Sequence, residues 1–393
     1  MTRNSSVLIS GAGIAGLTLA VLLKEQGYEP LVVERNKTLR TEGYMMDFFG
    51  SGWDVAERMG LADELRAIHY PIDALQFVDR DGKIYASVPI ARIGHALGGK
   101  YVYLRRSDLE RILYDRAQAA GVAVRFGSVV TGLRETTNGM RATFVDGAEA
   151  DFALVFGADG VHSGVRRLIF GEQRQFERFL GGYVAAFHLN RHKFDLGRAL
   201  KLHEETDRVA AFYPLDDRRM DATYVFRHDD VQVLPEDRLS FVRKKFKGAG
   251  WIAEAMLKAY RGKEPIYFDS LTQIEMPHWH QGRVALLGDA CGSLTLLAGQ
   301  GSHMAMAGAY VIARELARHK GDYAAGFAAY QAMLKPEVAK RQKDAAAMAR
   351  YFIPSKRSRP WLRRLVIKLM FSPTMLPLVF RWFGARSVLE GYE

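Results

Sequence analysis

Val7-Leu8-Ile9-Ser10-Gly11-Ala12-Gly13-Ile14-Ala15-Gly16-Leu17, continued by Thr18-Leu19-Ala20-Val21-Leu22-Leu23-Lys24, sets an apolar strand before an apolar helix with three glycines at the joint. Each glycine has its own task. Gly11 permits the tight turn, Gly13 lets the backbone approach a pyrophosphate unobstructed, and Gly16 lets the helix pack close to the strand, with Ala15 in the same run. Phosphate then meets a helix N-terminus, where unpaired N–H groups and the positive end of the dipole favour an anion. About twenty residues on, the strand Pro30-Leu31-Val32-Val33-Glu34-Arg35 presents an acid able to accept hydrogen bonds from both hydroxyls of an adenosine ribose. An acid there disfavours the 2′-phosphate of NADP as the resident ligand and leaves FAD or NAD. Arg35 either lies against adenine or phosphate or is a solvated residue after a strand.

Two later stretches repeat the strand-to-loop placement of an acid. Gly157-Ala158-Asp159-Gly160-Val161-His162-Ser163 puts Asp159 at a loop mouth, where it orients pyrophosphate or, with Ser163, caps the next helix. Val284-Ala285-Leu286-Leu287-Gly288-Asp289 does the same for Asp289, and Gly299-Gln300-Gly301 then opens a long helix. A helix N-terminus directed at a flavin ring stabilises the anionic reduced form. Three such stretches sharing one large dinucleotide select FAD.

Composition sets the bounds. The 393 residues, 48% hydrophobic, suffice for two domains, and the single cysteine, Cys291, excludes an internal disulfide and points to a reducing cytoplasm. Cys291 itself has no identifiable base beside it and is expected to be a small buried residue. His188, His278, His280 and His303 lack metal-ligand spacing, so no metal site is expected; His303 alone is placed near the flavin, with a packing or capping role. No signal peptide is expected at the N-terminus. The net charge of +11 is concentrated at the C-terminus, where residues 351–393 carry eight Lys and Arg against two Glu. Without a nucleic-acid-binding motif, this is not read as a nucleic-acid-binding protein.

The fold class expected is α/β: a Rossmann-like FAD-binding domain interleaved with an antiparallel-sheet substrate domain, plus C-terminal helices. The division is 1–72 with 98–178 and 276–335 for FAD, 73–97 with 179–275 for substrate, and 336–393 for the C-terminal helical segment. Strands are expected at Ala74–Val78 and Lys83–Val88, joined by an Asp79-Arg80-Asp81-Gly82 turn. Others are expected at Ala123–Phe126, Ser128–Arg134, Arg141–Val145, Phe152–Phe156, Tyr183–Leu189, Val209–Tyr213 and Ala222–Arg227. Helices are expected over Gly52–Gly60, from a Ser107/Glu110 capping box, over about Gly301–His319 and over Tyr323–Phe352. The stretch Gly43-Tyr44-Met45-Met46-Asp47-Phe48-Phe49-Gly50 reads as a glycine-flanked apolar loop.

Gly11-Ala12-Gly13-Ile14-Ala15-Gly16, Gly157-Ala158-Asp159-Gly160 with Ser163 and Arg166, and Gly288-Asp289-Ala290 with Gly299-Gln300-Gly301 resemble, in order and spacing over about 350 residues, the signatures of the single-component aromatic-ring flavin monooxygenases of the para-hydroxybenzoate hydroxylase fold. The resemblance implies that Glu34 and Arg35 hold the adenosine, Arg106 the pyrophosphate or ribityl region, Asp159 both FAD and passing NAD(P)H, and Asp289 the ribityl chain and pyrophosphate. It also implies hydride transfer from NAD(P)H to FAD, a C4a-hydroperoxide formed with O2, and hydroxylation of a phenolic or polycyclic aromatic substrate. Tyr267-Phe268-Asp269-Ser270, Tyr183-Val184-Ala185-Ala186-Phe187 and Phe226-Arg227 resemble the tetracycline-inactivating branch, which implies a tetracycline-like polyketide and a C-terminal helix over the substrate side. Three positions depart from the family pattern: Thr295 replaces a proline, Gly292 a His or Tyr, and His303 an Asn.

Met46, Asp47, Phe187, Phe212 and Tyr224 are the candidate substrate contacts, with Met45, Phe48 and Phe49 nearby. Asp47 is the odd one, an acid among apolar residues that contacts flavin or substrate or caps the following helix. No side chain is singled out as catalytic, because the flavin carries the chemistry. The C-terminal segment, Trp361 to Phe371 with Arg363, Arg364 and Lys368, has helical spacing, and its longest uncharged run, Leu369 to Phe380, is too short to span a bilayer. It reads first as a lid over the substrate entrance and second as a helix on an anionic membrane surface. Rivals to the monooxygenase are a flavin dehydrogenase or oxidase without oxygen insertion, and a non-catalytic flavin-binding or ligand-sequestering protein. A halogenase is disfavoured, because the Trp-x-Trp-x-Ile-Pro signature is missing.

Overall fold

A computed structural model describes residues 5–40, 44–190, 194, 196–216, 218–228, 235–262, 266–356, 359–376, 378–379 and 386–392. The opening stretch forms the strand Ser6–Ser10 and the helix Ile14–Glu25. That strand is flanked on one side by Glu29–Glu34 and Ala123–Phe126 and on the other by Leu154–Gly157 and Val284–Leu286, all parallel, with His280–Gln281 antiparallel at the edge. Both faces of such a sheet are covered, which is why these strands read as unbroken apolar runs. The helices Ile14–Glu25, Arg106–Ala119 and Gly301–Arg318 enclose its core.

A second sheet of seven strands runs in the order Tyr267–Ile274, Glu177–Asn190, Arg219–Arg227, Arg208–Pro214, Ala199–Glu205, Ala74–Val78, Ile84–Pro89. Alternation along each strand divides its side chains between two faces. Tyr183, Ala185, Phe187, Ala210, Phe212, Ala222, Tyr224 and Phe226 form a core with Val242, Phe246, Met256 and Leu257 on the helices Arg238–Lys245 and Ala253–Ala259. Val184, Val209, Ala211 and Val225 face the other way, toward Met45 and Tyr103.

Several expectations shift. Met45–Phe49, read as a loop, is a strand paired with Tyr101–Arg105 in a two-stranded ladder. Phe152–Phe156 is two strands, Glu149–Phe152 in a three-stranded antiparallel sheet and Leu154–Gly157 in the parallel one, because the chain changes sheets at Ala153. The capping box does not form. The strand Tyr101–Arg105 runs directly into the helix Arg106–Ala119, so Ser107 lies inside the helix and Glu110 pairs with Arg106 instead. The helix Tyr323–Phe352 continues unbroken through residue 335, where the last domain boundary was drawn. Gly43 and Phe380 lie outside the described residues.

Candidate active site

The parallel strands end at a cavity of about 450 Å³, the position at which open α/β sheets bind ligands. Gly11, Gly13, Glu34, Arg35, Arg106, Asp159 and Asp289 all line it, so the three separated motifs converge on one cleft. Gly11 adopts φ +110°, and a Cβ there would stand 2.4 Å from the Ala158 carbonyl oxygen. A Cβ on Gly16 would lie 2.0 Å from the Gly11 carbonyl oxygen, so only glycine allows this helix to approach its strand.

Glu34 is held as an acceptor. Its Oε2 takes the Ala12 N–H at 3.0 Å and its Oε1 the Asn36 N–H at 2.9 Å, and each oxygen keeps a further lone pair for a ribose hydroxyl. Arg106 stands beside Gly13, paired with Glu110 at 2.7 Å. Burial works against its charge, but Glu110 and Tyr44 hold the guanidinium firmly protonated. Asp159 Oδ2 accepts from the N–H groups of Gly164 at 2.8 Å and Val165 at 3.1 Å, while Ser163 caps the same helix through Arg166 N–H. Capping therefore uses one carboxylate oxygen. The other, Oδ1, is buried without a partner, which makes it an acceptor waiting for a ligand's donor. Burial raises the pKa of Asp159 against its hydrogen bonds, and raises that of Asp289 against the pull of Arg106. An anion-accepting glycine turn, a ribose-accepting acid, a protonated arginine and an orphaned buried acceptor fit an extended dinucleotide such as FAD.

Ala15, Gly16, Gly299, Gln300 and Gly301 do not line this cavity. Ala15 packs against Gly288, fastening the first motif to the third: a Cβ on Gly288 would lie 3.1 Å from the Ala15 methyl. Gly299 takes the left-handed conformation, φ +62°, that starts the helix at Gly301, and Gln300 accepts a hydrogen bond from Arg341. Arg166, fully buried, donates to the carbonyls of Ala290 at 2.8 Å and Val161 at 2.6 Å, so it ties the second motif to the third. Sequence reasoning missed Tyr44, Asn36, Glu110, Ser128 and Asp269 as lining residues. Of these only Glu110 left a signal, its i+4 spacing from Arg106. Burial pushes Tyr44 up to about 12, and its ring lies 5.7 Å from that of Tyr267.

Beyond this cleft lies the face of the seven-stranded sheet that meets the ladder. Asp47 projects from the ladder toward it, water-accessible yet surrounded by protein, with burial raising its pKa and the Tyr101 hydroxyl donating to it. It does not cap the helix Gly50–Arg58, whose first residue has no side-chain cap. Tyr103, opposite Asp47 in the ladder, stacks on Tyr213 at 6.0 Å and 19°. The Tyr103 hydroxyl is buried without a partner.

Four candidate substrate contacts fall elsewhere, because alternation turned them away. Met46 joins the core of the parallel-sheet side. Phe187, Phe212 and Tyr224 lie on the helix-covered back of the seven-stranded sheet, where the Tyr224 hydroxyl donates to Ala253 carbonyl at 2.9 Å. Their neighbours one residue along, Tyr213 among them, face the ladder, on the side of Met45 and Tyr103.

The departures from the family pattern have structural counterparts. A Cβ on Gly292 would meet Val338 at 2.8 Å, so the helix Tyr323–Phe352 fills the room a larger side chain would need. Thr295 has φ +86° and ψ +146°, a strained setting for a β-branched residue. His303 accepts the Phe49 N–H at 3.2 Å and packs on the rings of Phe48 and Phe49; burial, aided by Arg341, lowers its pKa to about 3. It is a neutral packing residue. Burial pushes the Cys291 thiol up to about 12, as suits a buried, unreactive group.

A family model described as FAD binding domain matches residues 4–331. An uncharacterized protein of Mycobacterium tuberculosis (strain CDC 1551 / Oshkosh) is 34% identical, covering 83% of this chain and 89% of its own. A flavin-dependent monooxygenase from an unknown prokaryotic organism is 30% identical over 90% of this chain and 91% of its own. This chain is a class A FAD-dependent monooxygenase. FAD is its cofactor. The crystal structure of the tetracycline destructase Tet(55) superposes on this monooxygenase with a TM-score of 0.85 and 26% identity, covering 99% of each chain. Its interleaved sheets and C-terminal helices are thus those of the family.

Proposed function

We propose that this monooxygenase uses NAD(P)H and O2 to hydroxylate a phenolic or polycyclic aromatic substrate, with a tetracycline-like polyketide as first candidate. The observation carrying this reading is the water-accessible acid Asp47, held by the Tyr101 hydroxyl beside the half-buried Tyr213, which stacks on the buried Tyr103. Flat aromatic walls receive a ring by stacking, and an acid beside them selects a substrate that donates a hydrogen bond. The similarity to Tet(55) supports the polyketide as the first compound to try.

FAD, when bound, supplies hydride acceptance and activation of O2. The chain supplies position. Glu34 and Arg35 hold the adenosine end, and the Gly11 and Gly13 backbone with Arg106 meets the pyrophosphate. Asp159, through its unpartnered Oδ1, and Asp289, behind the Gly301 helix start, accept from the remaining donors of the cofactor. Asp47 orients the substrate hydroxyl, and a ring bound on the surrounding apolar face displaces water from it.

The test is turnover of purified yellow protein with NADPH and with NADH, under heavy oxygen gas, with tetracycline beside simple phenols. Product carrying one labelled oxygen supports the proposal. Reduced cofactor consumed with no labelled product in any arm would assign a dehydrogenase or oxidase, and tight ligand binding without consumption a sequestering protein.

A further inference from the structure

The helix Pro360–Met370 lies against the edge of the seven-stranded sheet. One side of it is docked. Ile367 is buried in the core with Phe77, Leu200 and Leu202, Phe371 packs 5.4 Å from the ring of Phe77, and Arg363 pairs with Glu204 at 2.8 Å while donating to the Phe352 carbonyl at 2.9 Å. These contacts place the helix at the ladder-facing side of that sheet, the side proposed above to receive substrate.

The side away from Ile367 remains open. Trp361, Leu365 and Leu369 are 63%, 57% and 60% exposed and follow one another at four-residue spacing, with Leu362 and Val366 beside them. They make up five of the eleven exposed large hydrophobics among the described residues, so the exposure is gathered on one helix face rather than scattered. Arg364 and Lys368 flank the row and Arg359 precedes it, all exposed, within the segment that carries eight cations against two acids. No helix among the described residues is long and apolar enough to cross a membrane. A second copy of the chain is a poor occupant. Two such faces brought together would juxtapose the same cations in a chain already at +11.

We propose that this face binds the surface of an anionic lipid bilayer. Trp361, Leu365 and Leu369 enter the headgroup and acyl boundary, and Lys368 and Arg359 engage lipid phosphates, while Arg364 is held over the Tyr85 ring and beside Asp79. The docked side keeps the helix on the enzyme, so the substrate side of the sheet is held near the membrane. An apolar aromatic dissolved in lipid then has a short route to the enzyme.

The experiment is flotation of the full-length FAD-loaded protein with vesicles of phosphatidylglycerol and phosphatidylcholine, and with phosphatidylcholine alone. Expected are co-flotation with the anionic vesicles only, and its loss at about 1 M salt, where the screening length falls to about 3 Å. The double variant Trp361→Ser with Leu365→Ser should lose vesicle binding by about tenfold or more, as should Lys368→Glu to a smaller degree, both with wild-type flavin content. No flotation with anionic vesicles at low salt overturns the proposal, as does a double variant that floats like wild type. A wild-type dimer by light scattering that the double variant dissolves would assign the face to a second copy and overturn it equally.

Discussion

The dinucleotide cleft and the ladder-facing side of the seven-stranded sheet, the proposed substrate face, are built by different rules. The cleft is made where strands stop, from backbone N–H groups, glycines and acids at loop mouths, so each part is fixed by a few consecutive residues. The sheet face is made along strands, where every second side chain belongs to the opposite side and a one-residue misreading of parity exchanges one packed face for the other. Turn chemistry is local, whereas facing is relational.

The contrast breaks most severely at Gly11. Gly11→Val places a side chain against the Ala158 carbonyl at a positive φ, and we expect loss of nearly all bound FAD and about 3 kcal/mol or more of stability. Flavin absorbance per mole of protein and thermal melting would read both.

On the sheet, parity predicts opposite outcomes for adjacent residues. Phe212→Ala should cost about 3–5 kcal/mol and leave the substrate KM of the folded fraction unchanged. Tyr213→Phe should stay within about 1 kcal/mol and raise KM. Equal KM changes in the two variants would show the facing to be wrong.

His303 ties the two regions together and gives a pH test. Burial and Arg341 hold its folded pKa down at about 3, below the ordinary histidine value of about 6.5, so the unfolded chain binds the proton first as pH falls. Its contribution is complete above pH 6.5 and is lost as pH falls from there toward 3, a change on the order of a few kcal/mol. His303→Gln, followed by denaturant melts across that range, should remove this part of the acid sensitivity.

Asp289→Ala is expected to weaken FAD binding by about 10- to 100-fold, or one to three kcal/mol, with an unchanged far-ultraviolet spectrum. A variant with full flavin content and turnover would remove Asp289 from the site. The smallest effect belongs to Asp47→Asn. Flavin content should match wild type while KM rises about threefold to tenfold, and a change in flavin content instead would move Asp47 from the substrate to the cofactor.

Much of the cleft was legible because its requirements are stereochemical. Gly11, Gly13, Glu34, Arg35, Arg106, Asp159 and Asp289 all stand out in the sequence and come together in the structure. Gln300 and Ala15 were read with them but serve packing, since a motif marks a backbone path and does not say which of its side chains face inward. Tyr44 and Ser128 left no local signal as lining residues, being brought to the cleft from segments distant in sequence. Met45–Phe49 was misread as a loop because the glycines at its ends resemble punctuation, while its partner Tyr101–Arg105 lies over fifty residues away.

The sequence by itself determined the cofactor-binding scheme, the parallel sheet and the cationic C-terminal segment, because turns that admit only glycine, strand-end acids and charge are properties of short runs of residues. Only the tertiary structure decided which side chains of the antiparallel sheet face the ladder and which the helices, what fills the space beside Gly292, and which face of the last helix stays open. Those depend on what packs against each surface, and burial is a property of pairs of elements that no single stretch of chain contains.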